Sequence, residues 1–89
     1  MIDYGAKLNF MIRTNENDKV LGRRIAKNIA SRRKQLGLTQ KQLAEITGKK
    51  QPHIARLERS NYGRHTIHSL NQLATALDTT VSELTKEQS

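Results

Sequence analysis

The chain has 89 residues, 16 of them Lys or Arg against 8 Asp or Glu, a formal net charge of +8. That length makes one small domain burying roughly 60–65% of its unfolded surface, and a hydrophobic content of 35% fills one core without leaving material for a large enzyme pocket. The lack of Cys excludes disulfides, thiolate zinc sites and cysteine nucleophiles, while three aromatics (Tyr4, Phe10, Tyr62) and no Trp argue against a stacking platform for single strands.

Residues 1–19 open with Asp3 near the start and no sustained apolar stretch, which is not a signal peptide. No run approaches the roughly 18–20 apolar residues of a membrane span, so a soluble, cytoplasmic chain is expected. Ile2, Leu8, Phe10 and Ile12 are followed by the polar run Asn15-Glu16-Asn17-Asp18, which reads as a linker or loop. Residues 1–19 are therefore expected to be an arm. It is either flexible or packed on the domain, or it docks a partner.

From about Lys19–Leu21 the pattern is helical. Leu21, Ile25 and Ile29 stand four apart, with Ala26 and Ala30 beside them and Leu36 two turns on, the stripe of a first helix ending near Gly37. Thr39 and Gln42 make a capping-box pattern for a short second helix with Leu43, Ala44 and Ile46 inward. Gly48 is suited to end it in the left-handed conformation. A third helix is expected over Gln51–Arg59, with Ile54 and Leu57 inward and Pro52 tolerated in its first turn. Ser60-Asn61-Tyr62-Gly63 reads as a turn. A fourth helix from about Thr66 carries Ile67, Leu70, Leu73, Ala74 and Leu77, and Thr80 with Glu83 caps a fifth containing Val81 and Leu84. No segment alternates with period two, so the expected fold is all-α, with residues 20–85 as the domain and 86–89 as a polar tail.

The charge is concentrated in the same middle region. Residues 1–20 sum to zero, 21–36 to +6, 37–64 to +4 and 65–89 to −2. Localised basicity reads as an anion-binding surface or, more simply, as a solvated helix face. A glycine turn joining two short helices, the second basic on its outer face, is the arrangement that reads DNA. The major groove, about 12 Å wide, admits one helix. Helix three offers Lys50, Gln51, His53 and Arg56 to it, while Gln40 and Lys41 at the start of helix two face phosphates with the helix dipole behind them.

The run RRKQLGLTQKQLAEITGKKQPHIARLERSN resembles the lambda and 434 repressor/Cro type of helix-turn-helix, the XRE-like family. The resemblance runs from about Leu21 to Leu84 and is most specific at Leu36-Gly37-Leu38-Thr39-Gln40, Leu43-Ala44, Gly48 and Ile54-Ala55-Arg56-Leu57-Glu58. It implies a compact five-helix bundle. By matching position, Gln40 binds phosphate and buttresses the first residue of the recognition helix. Gln51, Pro52, His53 and Arg56 form the base-edge set, and Arg23, Gln40, Lys41, Lys50, Asn61 and Arg64 the phosphate set. Arg33 and Glu58 match a partly buried salt bridge between helices one and three. Two departures stand out: Lys50 replaces the usual Ser or Thr cap, and Ser60-Asn61 replaces the usual glycine.

The reading that follows is a sequence-specific regulator of double-stranded DNA, a repressor acting as a homodimer on a palindromic operator. Helices four and five are where similar proteins dimerise. A rival reading is the antitoxin of a toxin–antitoxin pair, which also binds a small toxin enzyme. A third, a basic membrane-surface or target-helix module on residues 21–36, is weakened by the lack of Trp and Phe there. His65 and His68 have no third ligand and read as surface or capping residues; His53 is a groove contact or simply exposed, and Glu45 is a solvated residue that can pair with Lys41. No catalytic set is recognisable, and no metal or cofactor is expected.

Overall fold

Five α-helices follow one another in the computed structural model: α1 (Tyr4–Gln35), α2 (Gln40–Thr47), α3 (Gln51–Arg59), α4 (Ile67–Ala76) and α5 (Val81–Thr85). The structure describes residues 4–59 and 66–87, with side chains from 19–59 and 66–87. Among the described residues there is no strand, and the fold is all-α. The expected turn at 60–63 lies outside them.

α1 packs against α3 and α5, α2 against α3 and α4, and α4 against α5. One core joins all five: Ile25 and Ile29 from α1, Leu43 and Ala44 from α2, Ile54 from α3, Leu70, Leu73 and Ala74 from α4 with Leu77 just after it, and Leu84 from α5. Ile29, Leu43, Ile54, Leu73, Leu77 and Leu84 are fully buried. Each such side chain contributes about 1.5–3 kcal/mol by leaving water.

The helix ends follow local chemistry. Thr39 Oγ1 accepts from the Gln42 amide at 3.0 Å, and Gln42 Oε1 accepts from the Thr39 amide at 2.8 Å. This closed capping box satisfies two donors that a helix start leaves orphaned. Gly48 (φ +70°) ends α2, and the Lys49 amide donates back to the Ala44 carbonyl at 3.0 Å. Gly37 does the same for α1, with the Leu38 amide on the Arg33 carbonyl. Thr66 and Thr80 each cap their helix by accepting from the amide three residues on.

Several expectations are corrected. The backbone is helical straight through Asn15–Asp18, where a loop was expected. Asn and Asp are poor helix formers, but each costs well under about 1 kcal/mol in a helix interior, and neither Pro nor Gly lies between Ala6 and Leu21 to stop it. Leu36 is 39% exposed because α1 ends at Gln35 and the Gly37 turn takes it off the stripe; Leu38 packs on the core instead. Ile46 is 56% exposed, since Leu43 and Ala44 centre the buried arc of α2 and Thr47 completes it. Ile67 shares the register of Leu70 and Ala74 but sits in the first turn, where it is 75% exposed. Leu21, also placed on the core stripe, is exposed in the first part of the basic segment.

Candidate nucleic-acid interface

α2 and α3 meet through the Gly48 turn, and their polar faces form one surface. In α3, Ile54 is fully buried and Leu57 packs against the core. The helical period then turns Gln51, Pro52, His53 and Arg56 outward, and all four are exposed. The helix begins on the Lys50 carbonyl, which accepts from the amides of His53 (2.9 Å) and Ile54 (3.1 Å). Lys50 itself has no side-chain acceptor, so the Gln51 amide is left without a cap at the positive end of the helix dipole. Pro52, second in the helix, has no amide to lose there.

One carboxylate fixes α3 against both preceding helices. Glu58 Oε2 accepts from Arg33 Nε at 2.7 Å, and Glu58 Oε1 from Arg33 Nη2 at 2.9 Å. Both side chains are largely buried, 11% and 6% exposed. Arg33 Nη1 donates to the Leu38 carbonyl at 2.8 Å, so the guanidinium also ties down the α1–α2 turn. The hydrogen bonds it donates to Glu58, with the carboxylate's charge, hold the Arg33 guanidinium above its ordinary proton affinity, against the opposing effect of burial. Gln40 Nε2 donates to Glu58 Oε1 at 3.1 Å. Gln40 thus buttresses α3 through Glu58, and no hydrogen bond joins it to Gln51 among the described residues. The second Nε2 proton is left for an anion.

The other predicted phosphate residues divide in two. Arg23, Lys41 and Lys50 are exposed; Asn61 and Arg64 lie outside the described residues, as does His65. His68 is exposed on α4, and among the described residues no group of three or more His, Cys, Asp or Glu is placed to hold a metal. Glu45 is exposed and forms no ion pair with Lys41; Arg33–Glu58 is the one such pair among the described residues. A shallow groove of about 500 Å³ between α2 and α4, lined by Ile46, Thr47, His68, Asn71, Gln72 and Thr75, holds no paired acids and no Ser/His/Asp set.

Two basic residues turn out to serve the fold. Besides Arg33, Arg32 Nε donates to the Leu77 carbonyl at 2.9 Å and Nη2 to the Asp78 carbonyl at 3.0 Å, a cation on the carbonyl end of α4. Buried Asn28 donates from Nδ2 to the carbonyls of Leu84 and Lys86, each at 2.8 Å, holding α5 on α1. Sequence reasoning missed both roles. The i, i+4 spacing of Asn28 and Arg32 places them together on α1, but their acceptors are backbone groups 45 to 58 residues away.

Residues 29–84 match the model of a family described as helix-turn-helix. No curated protein matches the chain. Among solved structures, the hydroxypropylphosphonic acid epoxidase from S. wedmorenis is similar over 73% of this chain and 34% of its own, at 26% identity and a TM-score of 0.69. FeII HppE in complex with substrate is similar over 73% of this chain and 37% of that one, with the same identity and score. CoII HppE with substrate is similar over 76% and 38% at 25% identity, again with a TM-score of 0.69. The chain spans little more than a third of the length of the structures it matches.

Proposed function

Since the chain belongs to the helix-turn-helix family of the Cro/C1 type, a family of DNA-binding regulators, we propose that it is a sequence-specific repressor that binds a palindromic operator as a homodimer in the cytoplasm. The observation that carries this reading is the outer face of α3. Gln51, Pro52, His53 and Arg56 are exposed in a row, on a helix whose back is pinned by Ile54 and by the Glu58 hydrogen bonds. A rigid helix of this kind presents base-reading groups without having to order them on binding. Gln51 supplies the bidentate geometry suited to adenine N6 and N7, and Arg56 that suited to guanine. Pro52 offers only apolar contact, as to a thymine methyl. Phosphates fall to Arg23, Gln40, Lys41, Lys50, Asn61 and Arg64, with Arg33–Glu58 as structural support. Among the described residues no helix is long and apolar enough to cross a membrane.

The activity of the matched epoxidases is not carried over, because the shared helical part is about a third of those chains. We read this chain as a non-enzymic regulator, with no metal or cofactor.

Selection from a random duplex library tests the reading. A symmetric enriched site with fixed half-site spacing is the expected result, and an unstructured or absent enrichment sinks it. In Gln51→Ala, base preference is lost at one position per half-site, at a cost of about 1–3 kcal/mol. Uniform weakening across all sequences makes Gln51 a phosphate contact instead.

The antitoxin reading adds a small toxin enzyme as partner and is favoured by one feature, the 32-residue length of α1, which carries helix through residues 4–18 ahead of the domain at 20–85. Co-purification of such an enzyme with the full chain, lost when residues 1–19 are removed, supports it. Retention by the shortened chain counts against an arm-docked toxin.

A further inference from the structure

Between α1 and the C-terminal end of α3 runs an open cleft of about 380 Å³ whose lining includes Arg23, Lys27, Ser31, Lys34, Glu58 and Arg59. Arg23, Lys27 and Lys34 stand four and seven residues apart and share one side of α1. Arg59 faces them from α3. All four cations are exposed, and none forms an ion pair among the described residues. The one carboxylate in the lining, Glu58, has both oxygens occupied by Arg33 and Gln40. Its charge is therefore spent inside the fold, and the cleft carries four cations with no counter-charge of its own.

The cleft is also continuous with the reading face. Arg59 follows Arg56 by three residues and Pro52 by seven, so the three lie on one strip of α3. Its Nε donates to the Ala55 carbonyl at 3.3 Å, which holds the guanidinium along the helix and leaves both terminal nitrogens free for acceptors. Arg59 therefore links the exposed strip of α3 to the α1 cations across the cleft.

Resting on the duplex-binding reading, we propose that the α1–α3 cleft is a phosphate-binding surface for one strand of that duplex, with Lys27 and Lys34 as contacts beyond the helix-turn-helix unit, Arg59 at the end of α3 joining them to it, and Arg23 completing the row. The lining suits an extended anion better than a compact one. Its cations are long, solvated and spaced along a helix, and no buried side chain with a free polar atom closes around a single small ligand. Lys side chains act here as point charges on successive phosphates, while Arg59 can fork a single one.

The test is the salt dependence of binding to a fluorescent mixed-sequence duplex of about 30 base pairs, since each neutralised phosphate contributes about −0.9 to the log–log slope. Lys27→Gln/Lys34→Gln should bind several-fold more weakly at low salt, with a slope shallower by about 1.8. Lys27→Arg/Lys34→Arg should keep the wild-type slope, and Lys86→Gln, away from the cleft, should change little. Circular dichroism and thermal melting establish that each variant is folded. A slope unchanged in the Gln variant overturns the cleft while leaving duplex binding intact, and an acidic protein lost from that variant at an unchanged slope reassigns the cleft to a protein partner. A wild-type chain that binds no duplex at low salt overturns both readings.

Discussion

Glu58 is the residue on which the most depends. Its carboxylate accepts two bonds from Arg33 and one from Gln40, so a single side chain of α3 is held by α1 and by the first residue of α2. The pair is largely buried, and removing one partner of such a pair leaves the other desolvated without compensation. Glu58→Ala should therefore destabilise the fold by about 3 kcal/mol in urea denaturation. A change below about 0.5 kcal/mol, the range of ordinary surface substitutions, would show that water replaces the carboxylate at no cost. Gln40 shows what sequence could and could not give. Its place at the start of α2 was legible from the capping box beside it, but its partner was not, because Glu58 lies 18 residues on and only the packing of α2 on α3 brings the two together.

At the scale of the element, α2 and α3 are short, and neither is a length that holds as an isolated helix in water. α2 has local help at both ends, the Thr39 box and the Gly48 turn. Thr39→Ala should cost about 1 kcal/mol of stability, read from the urea midpoint at constant slope. An unchanged midpoint would mean that the cap is replaced by water. α3 has no side-chain cap, and its helicity rests on Ile54, Leu57 and Glu58, the residues that also aim its outer face. Stability and presentation of the reading face are thus the same set of contacts. α1 shows the opposite limit of sequence reading. A polar run looks like a linker by composition, yet without a Pro, a Gly or a left-handed stop the helix simply continues.

For the whole molecule, the distribution of charge matters more than its sum. Residues 21–36 carry a net +6, but Arg32 and Arg33 are committed to the carbonyl end of α4 and to Glu58. Arg23, Arg24, Lys27 and Lys34 remain for the outside. Three of these line the cleft that Arg59 closes from α3, which is why the salt slope of the Lys27/Lys34 variant is the measurement that separates a solvated face from a binding surface. Asn28 and Arg32 act at this scale too, since together they hold the segment from Leu77 to Lys86 on α1 and close the core around Leu84.

The sequence by itself determined the all-α class, the closing helices, the capping box, the left-handed glycine at 48, the core at Ile25, Ile29, Leu43, Ile54 and Leu73, and the outward set on α3. Each of these is a local matter of helical period or terminal chemistry, resolved within a few residues. The tertiary structure decided that Arg32 is spent on the carbonyl end of α4, that Gln40 reaches Glu58, that Ile46 and Ile67 stay outside the core, and that α1 and α3 enclose a basic cleft. Those outcomes depend on which helix lies beside which, and a single chain of side chains records that only after its one core has closed.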